Sequence, residues 1–232
     1  MPRNGSEPPF AAEKPGLRAA FLEADDGPFT RIKMCGMRRE ADVDAAVDLA
    51  VDAVGFVLWD GSPRHATPST TAALVRRLPP SVTPVAVLVN PTSAAIAQAV
   101  DELGCRIVQV HGVIEGAGVT SGTHRLVRAV ALGQADGTVV PDVEAGVDVL
   151  LDAHDPLRHG GTGRTVDWTR AALVARRRRT ILAGGLTASN VAEAVRTVRP
   201  YGVDVASGVE AEPGVKDRAA MRAFVAAVRS VT

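Results

Sequence analysis

Two short turns, Leu182-Ala183-Gly184-Gly185-Leu186 and Val205-Ala206-Ser207-Gly208-Val209, each follow an apolar run and precede a helix-forming segment. Small residues at such junctions let backbone N–H groups approach an anion closely, and a helix end adds a favourable dipole. Two of them in succession, late in a βα series, form the pattern of a phosphate site in a (β/α)8 barrel. They point to a small phosphorylated metabolite.

Other polar residues stand where apolar runs end, the positions at which such a fold does its chemistry. Cys35 follows Ile32-Lys33-Met34, and a thiol at a barrel mouth can act as base or nucleophile if positive charge stabilises the thiolate. Its alternative is a small buried hydrophobe. Lys33 lies two residues earlier and shares a strand face with Cys35. There it could form a Schiff base with a carbonyl substrate or simply supply charge. Asp152 ends Val149-Leu150-Leu151, where desolvation would raise its pKa and suit it to general acid work; a loop cap is the alternative. Arg64, in Ser62-Pro63-Arg64, could grip a carboxylate bidentately or stay solvated. Asn90, Gln109, His111, Arg128 and His154 are similarly placed, and the two histidines form no recognisable metal set with neighbouring carboxylates. Cys105 precedes its strand and reads as packing. Arg176 to Arg179 read as a solvated run complementing a helix dipole.

The elements that must position these residues are apolar runs over 31–35, 53–58, 84–89, 106–110, 126–131, 147–152, 180–183 and 202–206. They are rich in Val, Ile and Leu with few polar interruptions, as expected of parallel strands buried on both faces. Helical patterns fill 40–50, 68–78, 93–103, 167–176, 188–198 and 216–228. Val43, Ala46, Val47 and Ala50 form an i, i+3, i+4, i+7 stripe. Thr92-Ser93 and Thr187-Ala188-Ser189-Asn190 offer caps. The stretches 115–122 and 133–146 are rich in helix breakers and predict irregular connections. Eight such units predict an α/β fold, a single-domain (β/α)8 TIM barrel over 31–232, with a doubly wound sheet as the alternative.

Bulk composition agrees. The 232 residues suffice for one such barrel, and 46% hydrophobic with 22% charged residues marks a soluble globular chain. Lysine plus arginine and aspartate plus glutamate are 26 each, a balance that favours neither nucleic acid nor an anionic membrane. Two cysteines without metal-type spacing predict reduced thiols in the cytoplasm. Residues 1–30, with Pro2, Pro8, Pro9, Pro15 and Pro28 and no sustained apolar run, read as an N-terminal extension without a signal peptide. That extension is predicted to be largely disordered, with one helical turn near 17–23.

In order and spacing, these segments resemble phosphoribosylanthranilate isomerase, the barrel enzyme of tryptophan biosynthesis. The marks are Ile32-Lys33-Met34-Cys35-Gly36, Ala53-Val54-Gly55-Phe56-Val57, Ser62-Pro63-Arg64, Val108-Gln109-Val110-His111-Gly112 and Leu150-Leu151-Asp152. They continue with Gly160-Gly161-Thr162-Gly163, Asp167-Trp168, Ala183-Gly184-Gly185-Leu186, Asn190-Val191, Val203 to Glu210 and Lys216-Asp217. The resemblance implies Cys35 as general base and Asp152 as general acid, with Arg64 holding the anthranilate carboxylate. Gly184-Gly185 and Ser207-Gly208 would bind the ribose phosphate, Gln109, His111 and Asp204 would also contact substrate, and a loop containing Gly161 and Gly163 would close over it. The implied reaction is an Amadori rearrangement that needs neither cofactor nor metal, in a monomer or homodimer with no nucleic-acid or membrane partner. The sequence departs from the family at Ala206, where serine is common, and at Arg128, which replaces a strand-5 lysine. A Schiff-base aldolase using Lys33 and a non-catalytic phosphosugar-binding barrel stand as alternatives, and a second aminoaldose substrate remains open.

Overall fold

The computed structural model describes residues 21–22, 29–115, 124–132, 143, 147–153 and 166–232. Eight parallel strands close into a barrel in sequential order: β1 (Arg31–Cys35), β2 (Ala53–Val57), β3 (Thr83–Val89), β4 (Ile107–His111), β5 (Arg125–Leu132), β6 (Asp148–Ala153), β7 (Thr180–Leu182) and β8 (Gly202–Val205). Closure is made by β1 pairing with β8, Lys33 opposite Asp204. The alternative open sheet is thereby excluded.

Around the barrel lie α1 (Glu40–Asp48), α2 (Pro68–Val75), α3 (Ser93–Asp101), α4 (Trp168–Ala175), α5 (Val191–Val198) and α6 (Arg218–Arg229). Side chains start several of them. Thr67, Thr92, Asp167 and Asp217 each accept a backbone N–H from the first turn of α2, α3, α4 and α6, at 2.9–3.2 Å. Such a cap contributes ~1 kcal/mol. Two helices begin later than their sequence pattern predicts. At α5, Asn190 Oδ1 accepts the Thr187 N–H and Asn190 Nδ2 donates to Gly185 O, so these residues close the glycine turn instead of extending the helix. Before α6, Val215–Lys216 pairs as β10 with β9 (Glu210–Glu212) in a small antiparallel hairpin. The 3₁₀ turn Ser207–Val209 leads into that hairpin. Among the described residues no helix is long and apolar enough to cross a membrane.

One core layer lies between strands and helices, built from side chains such as Ile32, Met34, Phe56, Val108, Leu151, Val203 and Phe224. A second fills the lumen at the strands' N-terminal end, where Ala53, Val85, Ile107, Val127, Leu150 and Ile181 enclose Phe21 and Leu22. Of the predicted N-terminal extension, Phe21, Leu22, Phe29 and Thr30 are described, and the rest of the expected turn over 17–23 lies outside the described residues. Arg176 and Arg177 are exposed as predicted, but Arg179 is not simply solvated. Its guanidinium lies 4.6 Å from the Tyr201 ring centroid and donates to Leu22 O at 2.7 Å.

Candidate active site

At the C-terminal end of the strands, one pocket gathers Cys35 from β1, Arg64 from the loop after β2, Gln109 and His111 from β4 and Asp152 from β6. Ser62 beside Arg64, Gly184 and Gly185 after β7, Asp204 on β8 and Ser207 beyond it also line it. Trp59, Val57, Val87 and Leu150 supply apolar wall. Gly208 does not line the pocket; it lies against the Leu186 carbonyl with no room for a side chain. Gly161, Gly163 and His154 fall outside the described residues.

Strand register explains who faces whom. Lys33 and Cys35 are two apart on β1 and share the lumen face, as their spacing predicts. A Cβ placed at Gly55 would lie 2.8 Å from Cys35 Sγ and 3.2 Å from Lys33 Nζ, so the glycine makes room for both on the neighbouring strand. Lys33 is 1% exposed and pairs with Asp204, its partner in the strand register, with Nζ to Oδ2 at 2.7 Å. Burial alone would lower the Lys33 pKa, but Asp204 and Cys35 outweigh it and hold the ammonium form above the ordinary lysine value. The second Asp204 oxygen, Oδ1, is buried and has no hydrogen-bond partner among the described residues, on a residue that lines the pocket.

Burial pushes the Cys35 thiol up, and Lys33 and Lys216 pull in the opposite direction without reversing it. Asp152 is raised to about 6. Desolvation is the main cause, the Asp204 charge adds to it, and the Ala153 N–H donated to Asp152 Oδ1 at 2.8 Å partly offsets it. Gly184 takes φ +78° beside this carboxyl, and a side chain there would meet Ala153 N at 2.5 Å. Only glycine allows the β7 turn to pass so close to the acid. Gln109 is buried, and its amide lies 2.9 Å from His111 Nε2, a contact in which the amide donates when that nitrogen is unprotonated.

Three polar residues read from the sequence serve elsewhere. Arg128 shares the outer face of β5 with Leu126 and Val130, because Val127 occupies the lumen, so it does not line the pocket. Asn90 Oδ1 accepts the Val113 N–H and holds the loop after β4. Cys105 is buried away from the pocket, and burial pushes its thiol up to about 12. Among the described residues no group of three or more His, Cys, Asp and Glu side chains could hold a metal ion.

Sequence reasoning missed a network beside the pocket. Arg64 Nε and Nη2 donate to Glu210 Oε1 and Oε2 at 2.9 and 2.7 Å, and Lys216 Nζ donates to Glu210 Oε1 at 2.8 Å. The Lys33–Asp204 pair was open to inference, since two opposite charges interrupt otherwise apolar strands that become neighbours once the barrel closes.

Comparisons with known proteins bear on the family and the fold. The family model for N-(5′-phosphoribosyl)anthranilate (PRA) isomerase matches residues 32–227. The N-(5′-phosphoribosyl)anthranilate isomerase of Pelobacter propionicus is 44% identical over 196 residues, 84% of this chain and 93% of that protein. Among solved structures, phosphoribosyl anthranilate isomerase from Thermus thermophilus superposes with a TM-score of 0.74 at 32% identity, covering 88% of this chain and all of that one. A phosphoribosyl anthranilate isomerase solved with reduced 1-(o-carboxyphenylamino)-1-deoxyribulose 5-phosphate gives 0.70 at 28% identity, covering 87% of this chain and all of that one.

Proposed function

The chain belongs to the N-(5′-phosphoribosyl)anthranilate isomerase family, and from that premise we propose that Cys35 is the general base and Asp152 the general acid of its reaction. The enzyme converts N-(5-phosphoribosyl)anthranilate to 1-(2-carboxyphenylamino)-1-deoxyribulose 5-phosphate, an Amadori rearrangement in tryptophan biosynthesis. The observation that carries the assignment is a buried thiol and a carboxyl of raised pKa, on strands 1 and 6, lining one pocket.

Asp152 gives its proton to the furanose oxygen as the C1–O bond breaks and the anilino nitrogen's lone pair forms the C1=N bond of a protonated Schiff base. Cys35, as thiolate, then takes the C2 proton. The C2–H electron pair forms C1=C2 and the C=N π pair returns to nitrogen, giving an enolamine. Protonation of that enolamine at C1, with loss of the C2 hydroxyl proton, yields the ketone. Unliganded and at neutral pH, Asp152 is largely ionised and Cys35 protonated, the reverse of the reactive form. Substrate filling the pocket expels water from Asp152 and favours its protonated state, while Lys33 and Lys216 provide positive charge towards the thiolate. The free Asp204 oxygen suits a ribose hydroxyl. Gly184, Gly185 and Ser207 suit the phosphate and Arg64 the anthranilate carboxylate. The substrate partner is thus a phosphosugar, and we assign the reaction to the cytoplasm from the biosynthetic family alone.

A Schiff-base role for Lys33 is disfavoured, because its ion pair with Asp204 keeps the amine protonated and non-nucleophilic. The test is turnover of freshly generated phosphoribosylanthranilate, followed by loss of anthranilate fluorescence, in wild type beside Cys35→Ala and Asp152→Asn. Fast decay in wild type alone supports the assignment. Near-normal decay in either variant removes that residue from its role, and binding of the reduced product analogue without turnover in wild type would favour the non-catalytic reading.

A further inference from the structure

The guanidinium of Arg64 is already engaged before any substrate arrives. Its Nε and Nη2 edge forms a bidentate pair with Glu210, whose carboxylate is 4% exposed. Lys216, with no side-chain exposure, stands on the other side of Glu210 and also donates to the Ala206 carbonyl at 3.0 Å. Both residues come from one hairpin, in which Lys216 pairs with Glu210 across β9 and β10. The loop carrying Arg64 is held by one bond from outside it and one within it. Arg38 Nη1 donates to Pro63 O at 2.7 Å, and the Arg64 N–H donates to Ser62 Oγ at 3.1 Å. Gly36, at φ +81°, lies under the Arg64 stem, where a Cβ would meet Cδ at 2.7 Å.

Two cations and one anion leave this cluster with a net single positive charge, the complement of one incoming carboxylate. Without Lys216 the cluster would be neutral, and Glu210 would repel a second carboxylate at the same guanidinium. Without Glu210 the long arginine side chain would have rotamers to lose on binding. We propose that Glu210, backed by Lys216, is a positioning residue: the β9–β10 hairpin fixes Arg64 so that Nη1, the nitrogen Glu210 does not engage, meets the aryl carboxylate of the substrate. The proposal rests on Arg64 being the group that meets that carboxylate.

The test compares two ligands, the reduced product analogue and the same molecule lacking the ring carboxylate. Dissociation constants are measured for wild type, Arg64→Met, Glu210→Gln, Glu210→Asp, Lys216→Met and Lys216→Arg, with each fold checked by circular dichroism. Wild type prefers the carboxylated ligand. Glu210→Gln and Lys216→Met are expected to cut that preference by about tenfold or more, the scale of one hydrogen bond to a charged group. Affinity for the ligand without the carboxylate should stay within threefold or so, which a merely structural defect would not allow. Lys216→Arg keeps the charge and should keep most of the preference, and Glu210→Asp keeps part of it, so the proposal stays testable if a bolder variant fails to fold. Loss of the preference in Arg64→Met, with the preference intact in the Glu210 and Lys216 variants, overturns the proposal alone. A preference that increases in Glu210→Gln also overturns it, because Glu210 would then be a competitor of the substrate. Retention of the preference in Arg64→Met overturns instead the underlying reading of Arg64.

Discussion

At the mouth of the barrel, four charged groups (Lys33, Asp204, Glu210 and Lys216) are withdrawn from water and pair with one another, beside Cys35 and the half-buried Asp152 of the pocket. At the foot, the lumen is closed by Phe21 and Leu22, 2% and 0% exposed, against a ring of Ala, Val, Ile and Leu. Charged groups are present there too, outside the lumen: Arg125 and Arg179 each donate to Leu22 O at 2.7 Å, and the buried Asp148 and Asp52 pair with Arg125 and Arg31 at 2.9 Å. The mouth lies wholly within the residues matched by the family, whereas Phe21 and Leu22 precede them. Buried charge is costly to fold and useful to a reaction, while buried apolar surface is the reverse. Within the lumen the barrel thus separates the two tasks along its axis, with Leu150 and Ala183 belonging to both the pocket wall and the plug's surroundings.

The sharpest way to break this comparison is to measure activity and stability together at each end. Cys35→Ala and Asp152→Asn should each lower turnover by about 10²- to 10⁴-fold, the scale of general acid–base catalysis, with folding intact by circular dichroism. Phe21→Ala should do the opposite. Deleting a buried phenylalanine costs about 3 kcal/mol, read as an earlier urea midpoint, while KM and turnover at 25 °C stay within a few fold. A Phe21→Ala variant as stable as wild type would make the plug incidental. One that loses turnover at full stability would show that foot and mouth are coupled through Leu150.

How far each end was legible in the sequence differs for physical reasons. Cys35, Asp152 and Arg64 could be picked out because they end or follow apolar runs, and parallel strands buried on both faces leave few other polar positions. The same double burial hid Arg128: with no alternation to read, nothing told that Val127, not its neighbour, faces the lumen. Glu210 reaches Arg64 across 146 positions by way of a hairpin too short to show periodicity. Phe21 and Leu22 sit in proline-rich, polar surroundings that read as disorder, and two residues cannot form a stripe. Their socket exists only once eight strands have closed around it.

A smaller effect tests whether the mouth does carry a stability cost. The folded protein holds the Asp152 proton more tightly than the unfolded chain, so this group favours folding fully below about pH 4 and the contribution is gone above about pH 6. Asp152→Asn lacks that loss and can keep the Ala153 N–H bond. Its stability relative to wild type should therefore grow between pH 4 and 6 and level off beyond, by up to about 3 kcal/mol for a shift from 3.8 to about 6. Paired urea titrations across that range measure it. A difference that does not vary with pH would mean that Asp152 is not held protonated by its burial.

The smallest effect separates side-chain packing from backbone anchoring at the foot. Tyr201 meets Phe21 edge-on with ring centroids 6.0 Å apart, lies under the Arg179 guanidinium, and accepts the Leu22 N–H at its hydroxyl at 3.1 Å. Tyr201→Phe removes only the hydroxyl and keeps both ring contacts. Loss of one hydrogen bond should cost ~1 kcal/mol, well short of Phe21→Ala. If Tyr201→Phe instead destabilised the protein as much as Phe21→Ala, polar contacts would hold the plug in place. The plug would then depend on the same kind of buried polar pairing as the mouth, and the division of labour along the lumen would fail.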